Sequence, residues 1–112
     1  MKTTLNKVEL NGFVGKDPEV ISLQNNSKVA RIALATTENY KNKAGIWIKE
    51  TTWHTIVMWN KNAEMVQEQI KKGSNIYIQG KMISRSYTDK NGKKQYVTEI
   101  QGLSFATSKA IN

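Results

Sequence analysis

Two glycines constrain this chain most, because each interrupts a stretch that otherwise alternates polar and apolar residues. Across residues 5–15, Val8, Leu10 and Val14 take one side, while Lys7, Glu9, Asn11 and Phe13 take the other. Period-two alternation is the mark of a strand with one buried face. Residues 75–87 read the same way, with Ile76, Ile78 and Met82 expected inward. Gly12 and Gly80 lie inside these two patterns. A glycine within a strand marks a bulge or sharp bend, the device that curls a sheet into a small barrel.

Further strands fill out that expectation. Residues 28–37 place Ala30, Ile32 and Leu34 on one face and leave Arg31 on the other, beside whatever binds there. Residues 51–59 are β-branched and aromatic, with no glycine or proline. Trp53, Thr55, Val57 and Trp59 share one face of this strand, and His54, Ile56 and Met58 the other. Two readings stand: a strand buried on both faces, or a tryptophan platform for flat ligands above an apolar inner face. Residues 38–49 form a lysine-rich excursion holding Tyr40 and Trp47, with a tip at residues 42–45 that makes it a protruding hairpin. Aromatic faces beside lysines suit a nucleic-acid clamp, whereas Trp47 and Ile48 folding back would make a small core.

Residues 60–73 carry Ala63, Val66 and Ile70 at helical spacing, with Asn60 or Asn62 as N-cap and Glu64 in the first turn. Lys71 and Lys72 are expected in the last turn and Gly73 as the stop. Asn91-Gly92 signals a second hairpin, returning through residues 95–102, and residues 103–112 lose periodicity. The order is three strands, a helix and two strands. This is the pattern of an all-β, five-stranded Greek-key barrel of OB-fold type, with its one helix between strands 3 and 4. The expected division is a barrel domain over residues 1–104 and a short tail over 105–112.

Composition narrows the function. Seventeen Lys+Arg against nine Asp+Glu give a net charge of +8, which favours a polyanionic partner. With a single histidine, no cysteine, no glycine-rich phosphate loop and no carboxylate pair placed as a motif, neither an enzyme nor a metal or cofactor site is expected. There is no apolar run of membrane-spanning length, so a soluble, intracellular protein is expected.

The chain also resembles a known family. Asn6-Lys7-Val8-Glu9-Leu10 with Gly15-Lys16-Asp17-Pro18-Glu19-Val20 is similar to the opening signature of bacterial single-stranded-DNA-binding proteins. So are Ile32-Ala33-Leu34-Ala35-Thr36, Thr52-Trp53-His54, the run from Lys72 to Gly80, and Tyr87-Thr88-Asp89 followed by Gly92 and Tyr96. The resemblance spans about residues 5–102. It implies an OB-fold homotetramer that coats single-stranded DNA without reading sequence, in replication, recombination and repair.

Family stacking positions fall on Tyr40, Trp53, Trp59 and Tyr87, and the basic DNA path on Lys43, Lys61, Lys72 and Arg85. Two of the aromatics are Tyr for a family Trp, and one is Trp for a family Phe, so each keeps a π-face. Ser86 stands where many members have lysine, and Thr55 where some have arginine. His54 matches a subunit-packing position, and Lys7, Val8 and Glu9 an edge that pairs with its copy. Members usually end in an acidic, Phe-terminated tip that recruits partner enzymes. This chain ends Ser108-Lys109-Ala110-Ile111-Asn112, so recruitment by such a tip is not expected, whether the form is natural or cut short. The rival on the same barrel is a primosomal restart-type or RNA-binding module, and the four aromatic positions argue against it.

Overall fold

The computed structural model describes residues 4–107. Six strands and one α-helix occur among them: β1 (Val8–Val14), β2 (Glu19–Ser22), β3 (Lys28–Lys41), β4 (Trp47–Trp59), α1 (Lys61–Gln69), β5 (Asn75–Thr88) and β6 (Lys94–Thr107). The sheet runs β1-β5-β6-β4-β3-β2, and β1 pairs again with β3 through Phe13↔Ala35 and Val14↔Leu34. Five strands thus close into a barrel consistent with the OB-fold, and β2 hangs on the outside of β3. The helix therefore lies between the fourth and fifth strands, not between the third and fourth as expected. The reason is β2, which is not among the five expected strands: Glu19 to Ser22 finds an antiparallel partner in Arg31 to Lys28.

Closure depends on Gly12. A Cβ there would lie 2.2 Å from the Ala35 carbonyl oxygen, where β1 crosses β3, so only glycine permits the approach. The second expected bend appears as a register shift between Gln79 and Gly80. Met82 lies past that shift and is exposed, contrary to its expected inward place.

Alternation builds the core. Val14, Ile32, Leu34, Ile56, Met58, Ile76, Ile78 and Ile100 meet inside the barrel. Ala63, Val66 and Ile70 of the helical segment join them, with α1 packed on β3, β4 and β6. The helix is shorter than its pattern predicts. It ends at Gln69, Ile70 is already extended, and Lys71, Lys72 and Gly73 belong to the turn that follows. Asn60 is the N-cap by position, but its side chain accepts from the Lys28 amide at 3.1 Å and leaves the helix uncapped.

Strands β3 to β6 contain 13 or 14 residues each. At about 3.3 Å per residue they outrun the barrel. Their burial stops partway: β3 is exposed from Thr37 onward, and β4 from Lys49 to Trp53. The surplus forms two hairpin arms. β6 also passes the expected tail boundary at residue 105, because Phe105 pairs with Ile78 and packs on the core. Residues 108–112, where the tail was expected to end, lie outside the described residues.

Candidate nucleic-acid interface

The outer face of β4 decides between the two readings of that strand. Ile56 and Met58 point into the core, whereas Trp53 is 61% exposed and Trp59 42%. Val57 forms a buried floor between them. The reading with both faces buried is therefore excluded. Small side chains on β3 make room for the rings, since Ala35 pairs with Trp53 and Ala33 with Thr55. Gly15 does the same from the other side: a Cβ there would sit 2.5 Å from Trp53 Cη2 and Cζ3. Trp53 thus rests against bare backbone.

The β3–β4 arm continues this face. Its register pairs Lys41 with Trp47 and Tyr40 with Ile48. Alternation places Trp47 on the side of Trp53 and Trp59, and Tyr40 on the opposite side. Trp47 is 67% exposed, with the Lys41 ammonium 5.5 Å from its ring centre, so no small core forms at the tip. Tyr40 is exposed too. The turn is set by Asn42, whose Oδ1 accepts from the amides of Ala44 and Ile46, and by Gly45 at φ +78°.

The β5–β6 arm is built alike. Asp89 Oδ1 accepts from the amides of Asn91 and Lys93, and Gly92 takes φ +78°. Tyr87 pairs with Gln95 and Tyr96 with Ser86, so the two tyrosines face opposite ways. Tyr87 shares its side with Arg85. Tyr96 carries the Lys94 ammonium 5.7 Å from its ring centre.

Between the arms lies a charged group with no sequence signature. Glu99 stands on the outward side of β6 yet is only 4% exposed. Arg85 donates to it through Nε at 2.7 Å and Nη2 at 3.4 Å, and Arg31 through Nη1 at 3.1 Å. These bonds, Arg85's first, hold the Glu99 carboxyl below its ordinary range against the opposing effect of burial. Arg31 and Arg85, both expected on the nucleic-acid path, lie half-exposed with part of their donor sets engaged. The missed residue is Glu99, which reads in sequence as one more polar position on an alternating strand.

The other expected residues scatter. Lys61 opens α1, two positions after Trp59, and is exposed. Lys43 sits at the tip of the first arm, and Lys72 lies in the turn after α1, its amide donating to Asp17 Oδ1 at 2.8 Å. Strand register brings neither to the Arg31–Glu99–Arg85 group. Val8 and Glu9 lie on β1, and Lys7 just before it forms an ion pair with Glu9 at 2.9 Å. Hydrogen bonding within that pair raises the Lys7 pKa and lowers that of Glu9. His54 is half-buried, with Nε2 2.9 Å from Thr36 Oγ1. Among the described residues, no cluster of three or more His, Cys, Asp or Glu could hold a metal ion. No described helix is long and apolar enough to cross a membrane.

Exposed rings in file along one strand, with guanidiniums beside them, can stack unpaired bases and meet phosphates. Comparison with known proteins agrees with that chemistry. The chain is similar to a Plasmodium falciparum SSB solved in complex with ssDNA, at 28% identity and a TM-score of 0.87, covering 97% of this chain and 99% of that one. It also shares its fold with a deletion mutant of the single-stranded DNA binding protein from Thermus aquaticus, at 20% identity and a TM-score of 0.83. There the match covers 94% of this chain but 51% of that one. A model of the single-strand binding protein family matches residues 5–106, and on that extent of match the chain belongs to this family.

Proposed function

We propose that this protein binds and coats single-stranded DNA without sequence reading, serving replication, recombination and repair as a cytoplasmic, nucleoid-associated binding protein rather than an enzyme. The observation that carries the reading is the exposed file Trp47, Trp53 and Trp59 on one face of β4, flanked by Arg31 and Arg85. Stacking is tolerant of sequence because every base has a π-face, and it requires unpaired bases. Tyr87 extends the surface along the second arm, Tyr40 adds a ring on the reverse face of the first, and Lys43, Lys61 and Lys72 supply charge around it. The family membership and the ssDNA complex of the Plasmodium relative support the same ligand.

A homotetramer fits the shape of β1. On its second edge this strand meets β3 only at Phe13 and Val14, which leaves Val8 to Asn11 free to pair with a copy. The deciding experiment is a tryptophan-fluorescence titration with poly-dT beside duplex DNA and single-stranded RNA of equal length. Quenching and tight binding are expected with poly-dT. Equal affinity for the duplex would overturn the stacking reading, and preference for RNA would favour an RNA-binding module. Light scattering at 12.7 kDa across micromolar concentrations would overturn the tetramer.

A further inference from the structure

Glu99 poses a physical problem. A carboxylate on the outer surface of a strand-binding face repels the phosphates that the face must attract, yet this one is kept ionised and almost fully buried. A buried charge persists only where partners compensate it. Here the compensation is specific: one N–H of Arg31 and two of Arg85 point at its two oxygens, from β3 and β5 on either side. A guanidinium carries five N–H donors. Four therefore remain on Arg31 and three on Arg85, on side chains that are 42% and 46% exposed.

The place of the group matters as much as its chemistry. Glu99 shares a shallow hollow with Trp53, Thr55 and Thr98. Arg31 pairs across the sheet with Val57, between the rows of Trp53 and Trp59, and Arg85 is two residues from Tyr87 on the same side. Unheld arginines would sample many rotamers and lose that freedom on meeting a phosphate. Anchored ones have lost it already, and a planar fork held at one edge presents the other in a fixed direction.

We infer that Glu99 is a positioning residue: it presets Arg31 and Arg85 as phosphate donors beside Trp53, giving up one unit of positive charge to do so. The inference rests on the single-strand reading above and adds a signature to it. Removing the carboxylate charge should weaken binding by disorder while strengthening its electrostatic part, and salt separates the two effects.

The test is poly-dT binding of the full chain across a salt series. Glu99→Gln should bind roughly tenfold more weakly at high salt. Its plot of log affinity against log salt should be steeper by on the order of 0.7, so that the deficit shrinks as salt falls. A slope that is unchanged or shallower, or tighter binding at every salt, overturns the inference. The double variant Arg31→Lys, Arg85→Lys keeps both charges and Glu99 but loses the forks. It should bind more weakly at all salts with the wild-type slope, and this variant decides the matter if circular dichroism shows Glu99→Gln unfolded. Wild-type affinity in the lysine variant also overturns the inference. Failure of the wild-type protein to bind poly-dT would remove the function reading itself, whereas wild-type binding with either overturning result removes only the role of Glu99.

Discussion

The two hairpin arms share one turn and lead to different chemistry. In each, an Asx side chain accepts two backbone amides and a glycine at φ +78° closes the loop. Each also carries two aromatics on opposite faces: Tyr40 and Trp47 on one arm, Tyr87 and Tyr96 on the other. Their roots diverge. The β3–β4 arm runs down one face into Trp53 and Trp59, whereas the β5–β6 arm runs into Arg85 and Glu99. On the function proposed above, a common scaffold delivers stacking through one root and directed charge through the other. Stacking responds weakly to salt and charge responds strongly, so the two roots can be told apart in solution.

The sharpest test removes the aromatic root. Trp53→Ala or Trp59→Ala should cost about 5- to 150-fold in poly-dT affinity, equivalent to about 1–3 kcal/mol for one stacked base, with little change in salt slope. An equal loss with a clearly shallower slope would break the division of labour.

Gly15 tests whether position, and not mere presence, of the ring matters. Gly15→Ala puts a Cβ 2.5 Å from the Trp53 ring and must displace it. Affinity should fall roughly tenfold, within the range of one stacked base. In a Trp53→Ala background the same change should cost nothing further, because the two act through one ring. Additive losses measured by titration would contradict this.

The arm tips should matter less. Trp47 lies in file with Trp53, while Tyr96 faces away from Tyr87 and Arg85. Trp47→Ala is expected to weaken binding about threefold to tenfold, and Tyr96→Ala by less than about twofold. A reversed order would move the strand path onto the other face of the second arm.

The smallest effect separates the turns themselves. Asp89 is held below its ordinary pKa of 3.8, first by the Gln95 side chain and then by the Lys93 amide, while the first arm uses neutral Asn42 in that place. A depressed carboxylate contributes stability that is full above the unfolded pKa and lost as the pH falls through the folded one. Amide exchange at Asn91 and Lys93 should therefore rise below pH about 4 relative to Ala44 and Ile46. Asp89→Asn should erase the contrast. Parallel acid profiles for both turns in the wild-type protein would refute it.

Much of this was legible because local patterns and tertiary structure agree. Alternation named Ile32, Leu34, Ile56, Ile76 and Ile78 as core, and turn-forming residues marked Asn42–Gly45 and Asn91-Gly92 as hairpin tips. Where the pattern was incomplete it misled. β2 is only four residues long and needs β3 to be a strand, so the five expected strands omit it. Met82 obeys the alternation and pairs with the core residue Ile100, yet it is 54% exposed, past the register shift. The helix stops at Gln69 although its charges and glycine fit a later end.

By itself, then, the amino-acid sequence determined the strand faces, the bend at Gly12, the two turns and the set of rings available for stacking. These depend on periods of two and on the conformational range of single residues, both of which are local. Only the tertiary structure decided that Trp53 leans on Gly15, that Trp47 and Tyr40 face opposite ways, and that Glu99 gathers two arginines. Arg31 and Glu99 are 68 residues apart, and they meet because β3, β4, β6 and β5 lie side by side in the closed sheet. Strand order and register set which charges become neighbours, and no spacing along the chain encodes that.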